Sequence, residues 1–273
     1  MVIKHMEMRP FGCAVLLIVV VGLAGCSGHS PTESTISHPT GYNESGIVDP
    51  ELAADQHATA LSKHDSYTER INITSPILEG FVATTIRTDT VENRSSAALE
   101  INNSGETFMD SKMYHDGTKR YTNSQMDVYS DTYATGNESL SSFQEGLMNT
   151  SEIDNWLANI SFEATGTVTR NGETLLQYNA TDVDDPEAFF YTTEFITIDA
   201  IGSVDSTLLV DKEGLIRAFE VTVTYSSDGT TETGTVRYRV TDIDATTVDE
   251  PDWIQKLNTT VETNDSKSRE TKN

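Results

Sequence analysis

From about residue 67 to residue 242 the chain runs in short stretches that alternate apolar and polar side chains, the period-two signature of half-buried strands. The pattern predicts strands over 67–74, 78–90, 96–102 and 107–115, rich in Thr, Ile, Val and aromatics. Asp116-Gly117 reads as a hairpin turn into a strand over 118–129. Alternation resumes over 161–170 and 173–181, joined by Asn171-Gly172, the strongest short hairpin signal in the chain. The last third is the clearest: strands over 206–211, 215–225 and 233–242, with turns at 212–214 and at 228–229. On the middle one Phe219, Val221, Val223 and Tyr225 point one way and Glu220, Thr222 and Thr224 the other. The next repeats this, with Val236, Tyr238 and Val240 against Arg237 and Arg239. One face is apolar and the other is wet. Val248, Pro251 and Trp253 close the domain, the tryptophan as a plug.

Three stretches break the β pattern with helical spacing. Asp49 is placed to cap a helix with Pro50 at its first position and Glu51 in its first turn. Leu52, Ala53, Gln56, Ala60 and Lys63 would share its face, a weak stripe that suits a helix lying on a sheet. Asn137 is a candidate cap for a second helix carrying Leu140, Phe143, Leu147 and Met148. Ser151, with Asp154 three residues on, resembles a capping box opening a third, with Ile153, Trp156, Leu157 and Ile160 on one stripe. Residues 182–200, acidic and then aromatic (Phe189, Phe190, Tyr191, Phe195), fit an insertion, a short helix or an edge strand.

The fold class expected is mainly β (α+β): a long antiparallel meander with an N-terminal helix and two short helices covering one face of the sheet. Ahead of it, Leu23-Ala24-Gly25-Cys26 ends an apolar run that follows Lys4 and Arg9 and reads as a lipobox. Cleavage before Cys26 would make that thiol the lipid-bearing first residue, and two acyl or alkyl chains suffice for stable anchoring. The only other cysteine, Cys13, lies in the segment to be removed. The expected layout is a signal peptide over 1–25, a Ser/Thr/Pro-rich tether over 26–48, one β-rich domain over 49–257 and a polar tail over 258–273. The lipid on Cys26 would hold the protein on the outer face of the cytoplasmic membrane.

Charge narrows the partners. With 18 basic and 43 acidic side chains the net charge is −25, which suits neither nucleic acid nor anionic headgroups. Few lysines and many Asp, Glu and Thr resemble haloarchaeal proteins, in which acidity is an adaptation to molar salt. Sequons mark Asn43, Asn72, Asn93, Asn102, Asn137, Asn149, Asn159, Asn179, Asn258 and Asn264 as candidate glycan acceptors.

Candidate chemistry is thin. There is no HExxH, GxSxG, phosphate-binding glycine loop or CxxC pair. His57 and His64 fall seven apart on the first helix and His115 stands alone before a turn, so all three read as surface or structural residues, with no metal site. The run 182–185 lacks the glycine turn and closing glutamate of a calcium loop. Asp242 and Asp244 read as solvated carboxylates sharing one strand face. No cofactor and no enzymatic activity are expected.

The order of lipobox, tether, helix, meander, helical insertion and second meander resembles the fold shared by the bacterial lipoprotein carriers LolA and LolB and the mycobacterial lipoproteins LppX and LprG. The local likeness is at Leu208-Leu209-Val210-Asp211-Lys212-Glu213-Gly214-Leu215-Ile216. That resemblance implies a half-open barrel, with the N-terminal helix and the two short helices covering the concave face, and a cavity for acyl chains between helices and sheet. The expected function is a non-enzymatic, membrane-anchored extracellular lipoprotein that binds or carries a lipid or other apolar ligand. Phe143, Leu147, Trp156, Leu157, Phe219, Val221, Val223, Tyr225 and Tyr238 are the expected ligand contacts. The alternative is a ligand-free structural or adhesive envelope glycoprotein. A continuous apolar cavity of roughly 300 Å³ or more would favour the first, and close packing the second.

Overall fold

Two antiparallel meanders, each built by short turns between neighbouring strands, are joined side by side into one sheet. The computed structural model describes residues 37–75, 79–126, 131–148, 150–180, 182–183, 200–227, 229–255 and 257. The chain divides into two units, residues 1–36 and 37–273, and the first lies wholly outside the described residues. In the second, a two-residue pair β1 (Tyr42–Asn43) and β2 (Gly46–Ile47) precedes α1 (Pro50–Leu61). The first meander is β3 (Ser66–Ser75), β4 (Gly80–Asp89), β5 (Arg94–Asn103), β6 (Glu106–His115), β7 (Lys119–Met126) and β8 (Thr132–Asn137). Helices α2 (Leu140–Leu147) and α3 (Thr150–Ala158) follow. The second meander is β9 (Glu163–Arg170), β10 (Glu173–Ala180), β11 (Ala200–Val210), β12 (Ile216–Ser227) and β13 (Thr230–Thr241).

The strand order is β8-β7-β6-β5-β4-β3-β13-β12-β11-β10-β9, so the sheet stays open with β8 and β9 as its edges. The sheet is the mainly β meander that the alternation predicts, in the half-open form that the resemblance implies. The seam is β3 against β13, from Thr74 opposite Thr235 to Thr68 opposite Thr241. Inward side chains match across it: Ile73 faces Val236, Ile71 faces Tyr238 and Glu69 faces Val240. Because α2 and α3 connect the two edge strands, they pass over the concave face.

The core is one-sided. Trp156 and Leu157 of α3, Ala53, Ala54 and Ala60 of α1, and Phe219, Val221, Val223, Val236 and Tyr238 of the sheet form one buried cluster. Trp156 stacks on Phe219 with ring centroids 5.6 Å apart. A smaller cluster lies on the outer face, where Val248, Trp253 and Ile254 pack on Tyr114 and Tyr121. Trp253 is thus a plug on the convex side. Thr246 ties that segment down, its N–H donating to Ser66 Oγ at 3.0 Å.

Several local expectations shift. Asp49 caps α1 through Leu52 N–H at 3.1 Å, but the buried face is Ala53, Ala54, His57, Ala60 and Leu61, while Leu52 is exposed. Small alanines let α1 sit close to the sheet and turn His57 inward. Asn137 ends β8, a strand the alternation did not reveal, and Ser139 caps α2 through Ser142 N–H. Ser151 lies inside α3 rather than before it. Residues 37–48, expected as tether, fold back: Tyr42 is buried and His38 Nδ1 meets Tyr178 Oη at 2.9 Å. Asp242 and Asp244 stand past β13 in left-handed turn conformations, accepting from Arg70 and His64 respectively, so they do not share a strand face. Residues 184–199 lie outside the described residues; β11 begins at Ala200 and Val183 bridges to Ile160.

The hairpin at 211–214 shows why its sequence is demanding. Asp211 Oδ1 accepts from Glu213 N–H at 2.8 Å and from Leu215 N–H at 3.0 Å, closing the turn with its own side chain. Gly214 has φ +90, and a Cβ there would lie 2.3 Å from Gln56 Cγ on α1. Gln56 in turn donates to Glu213 O at 2.7 Å, so the turn is a docking point for the helix. Gly214→Ala should therefore cost about 1–2 kcal/mol from backbone conformation alone, and more from the clash. Urea denaturation should show the loss as a lowered midpoint with an unchanged slope; an unaltered midpoint would contradict the docking.

Candidate ligand-binding face

Most of the expected ligand contacts are brought together, as a packed core. Phe143, Trp156, Leu157, Phe219, Val221, Val223, Tyr225 and Tyr238 are all buried, and Leu147 is half-buried. Seven of these eight belong to the main cluster, and Phe143 sits apart against His115, ring centroids 5.3 Å apart. His115 is itself buried, accepting from Gly117 N–H and paired with Glu138 O. Open volume on the concave face lies elsewhere, lined by His57, Tyr67, Glu69, Ile86, Gln144 and Met148 among others, between α1, α2, α3 and strands β3 and β4. Its volume is about 270 Å³, just under the usual range for ligand pockets.

A buried hydrogen-bond chain forms one wall. Ile216 N–H donates to His57 Nδ1 at 3.1 Å, which leaves the ring proton on Nε2. Nε2–H then donates to Tyr238 Oη at 3.0 Å, and Tyr238 O–H donates to Glu69 Oε1 at 2.7 Å. Burial pushes His57 down to about 3 and raises Tyr238 well above its ordinary value. Burial also lifts Glu69 to about 7, against the pull of the Tyr238 hydrogen bond. Both nitrogens of His57 are engaged, so it offers the pocket no free base. Gln144 of α2 closes the other side, donating to Thr88 Oγ1 at 3.2 Å and Tyr67 Oη at 3.4 Å.

Beyond this pocket no described helix covers the concave face of the first meander. Register places Val82 beside Ile101, Thr84 beside Leu99 and Ile101 beside Met109. Met113 and Met126 share that face. All are half-buried, and none packs into either core cluster, in contrast to their counterparts on β11–β13. Larger grooves lie on the outer face, including one of about 490 Å³ lined by Arg170, Arg217 and Arg239. There Arg217 pairs with Glu173 at 2.6 Å and Arg239 with Glu220 at 3.7 Å, so much of its charge is answered internally.

Glu69 and His57 are the members that pattern reading passed over. One signal was present: Glu69 is an acid on the inward phase of Tyr67, Ile71 and Ile73. Among the described residues no group of three or more His, Cys, Asp and Glu could hold a metal ion. Of the sequons, Asn43, Asn72, Asn93 and Asn137 are exposed, whereas Asn102, Asn159 and Asn179 are half-buried. Asn149, Asn258 and Asn264 lie outside the described residues.

The architecture defines a half-open antiparallel sheet with helices across its concave side. The chain belongs to a family of unknown function (DUF7537), whose model matches residues 13–257. No curated protein sequence matches it. Among solved structures it is similar to the lipoprotein LppX of Mycobacterium tuberculosis, at 10% identity and TM-score 0.37, over 73% of this chain and 97% of that one. It is similar to LprF from Mycobacterium bovis at 10% identity and TM-score 0.37, over 74% and 96%. An uncharacterized conserved protein from Thermus thermophilus follows at 6% identity and TM-score 0.28, over 69% and 85%.

The wall chain makes stability depend on pH in a way that can be separated. Between pH 4.5 and about 7 the unfolded chain has released the Glu69 proton that the fold keeps, so stability falls as pH rises through that window. His57 acts oppositely: from pH 6.5 down towards 3 the unfolded chain takes up a proton that the fold refuses, so stability falls as pH drops. Glu69→Gln removes the first slope. The variant should gain on the wild type by about 3 kcal/mol between pH 4.5 and 7 in urea titrations. A constant difference across that range would show that Glu69 is not held protonated.

Proposed function

We propose that the protein is a non-catalytic binding module, tethered outside the cytoplasmic membrane by a lipid on Cys26, that holds a lipid or other apolar ligand on its concave face. The carrying observation is the unequal cover of that face. The second meander is filled by α1 and α3, while Val82, Leu99, Ile101, Met109, Met113 and Met126 stay half-buried. Apolar surface left in a concavity, with flexible methionines that adapt to varied shapes, is what a ligand of indefinite outline requires. The tether follows from the lipobox, and no helix among the described residues is long and apolar enough to cross a membrane. The packing of Trp156 on Phe219 supports the alternative, a ligand-free envelope glycoprotein, for the second meander alone.

Protein released from its own membranes should carry apolar ligand mass beyond the anchor in native mass spectrometry. Leu99→Asp, at a half-buried position, should remove that mass while the far-ultraviolet spectrum is kept. Repeated preparations without extra mass would overturn the binding reading. Cys26→Ser should send the protein into the medium, and its retention on the membrane would refute the anchor.

A further inference from the structure

Among the described residues the pocket beneath the three helices is lined by one carboxyl group, one of whose oxygens has no described donor. Glu69 is 7% exposed and lines the cavity. Its Oε1 takes the Tyr238 hydroxyl, while no described residue donates to Oε2. No described lysine or arginine pairs with it. The basic residues nearest in sequence turn outward: Lys63 to Glu213 at 3.7 Å, His64 to Asp244 at 3.1 Å and Arg70 to Asp242 at 3.5 Å. Oε2 borders the open space of the cavity, and there a positive donor repays more of a carboxylate's desolvation than a neutral one. An anionic head would meet this carboxyl inside a chain of net charge −25.

We infer that Glu69 Oε2 accepts the protonated amine head of an apolar ligand, whose hydrocarbon runs from Ile86 along the concave side of β4 and β5 past Thr84 to Leu99. The inference rests on the binding reading above and adds the head-group chemistry. Register supports the path: Ile86, Thr84 and Val82 follow one another on the same face of β4, beside Ala97, Leu99 and Ile101 of β5. The titratable groups facing Glu69 are His57 from α1, Tyr67 from its own strand and Tyr238 from β13. His57 stays neutral down to about 3, and Tyr67 is raised to about 12 by burial, with Tyr238 also raised. The pocket's contributions from α2, α3 and β4, such as Gln144, Ile153 and Ile86, do not titrate. Among the described residues lining the pocket, only Glu69 changes charge between pH 5 and 9.

Octylamine and octan-1-ol are the probes, titrated into the mature protein carrying Trp253→Phe so that Trp156, 6.2 Å from the Tyr238 ring, reports alone. Octylamine, protonated throughout below pH about 9, should bind on the order of tenfold or more tighter than octanol at pH 8. Its affinity should fall about tenfold per pH unit below pH about 7, because Glu69 must first release its proton, and stay level above. In Glu69→Gln the amine preference and its pH dependence should vanish while octanol binding remains. The wild-type pH profile serves as the second measurement if that variant fails to fold. Octanol binding as tightly as octylamine, or a flat pH profile, overturns the amine head and leaves the apolar-ligand reading intact. Failure of both probes to bind overturns both. In protein taken from its own membranes, displacement of a lipid mass by octylamine assigns the amine to a membrane lipid, and displacement of a small amine assigns it to a soluble one.

Discussion

The pairing of β3 with β13 holds the fold together. Each meander is assembled by local turns, but nothing local joins them: Thr68 and Thr241 are separated by nearly the whole domain. Only the match of inward side chains across the seam makes eleven strands into one sheet with a common core. Loop-closure entropy must be met before such a contact returns any stabilisation. The seam carries much of what offsets it. Ile71, Val236 and Tyr238 are buried there, α1 and α3 sit over it, and the Tyr238–Glu69 hydrogen bond crosses it.

The same topology explains why the concave face is unequal. A flat sheet of eleven strands would set β8 and β9 roughly 48 Å apart, ten steps of about 4.8 Å. The chain between them has only residues 138–162 with which to cross, and it spends most of them in α2 and α3. A crossing of that length covers one track of the sheet. It lies over the second meander through Trp156 and Leu157 and touches the first through Phe143 and Gln144. Among the described residues nothing else crosses what remains of β4 to β7, and the half-buried apolar residues there follow from the shortness of that crossing.

Pattern reading recovered the strands where the alternation was strict and the turns carried their own chemistry. Asn171-Gly172 takes positive φ at both residues, as a tight hairpin demands. It recovered the inward phases of β12 and β13 residue by residue. It lost β8, whose Thr-Tyr-Ala-Thr-Gly-Asn offers no apolar phase because its side chains are largely exposed. The face of α1 was misjudged because hydropathy ranks Leu52 above His57, whereas burial was decided by the partners waiting for the imidazole, Ile216 N–H and the Tyr238 hydroxyl. Those partners come from strands some 160 and 180 positions away. Seven of the nine expected contacts meet in one buried cluster, since residues apolar enough to line a cavity are also apolar enough to fill one. The sequence does not state how far the crossing helices descend.

The cost of the buried polar chain sharpens its meaning. A well-packed apolar trio in place of His57, Tyr238 and Glu69 would hold the fold as firmly, and by general experience more so. What the polar chain adds is register. Slipping β3 by one residue against β13 would turn every side chain over. Glu69 would leave the Tyr238 hydroxyl for the outer face, and Arg70 would enter a pocket that offers it no carboxylate. On that outer face Arg70 already stands opposite Arg239, a like-charge pair tolerated because Asp242 and Glu220 answer the two cations. The inner hydrogen bond and the outer ion pairs therefore select the same alignment from both sides of the seam. A carboxyl recruited for alignment needs only one of its oxygens, and that is why the second is left facing the pocket without a described partner.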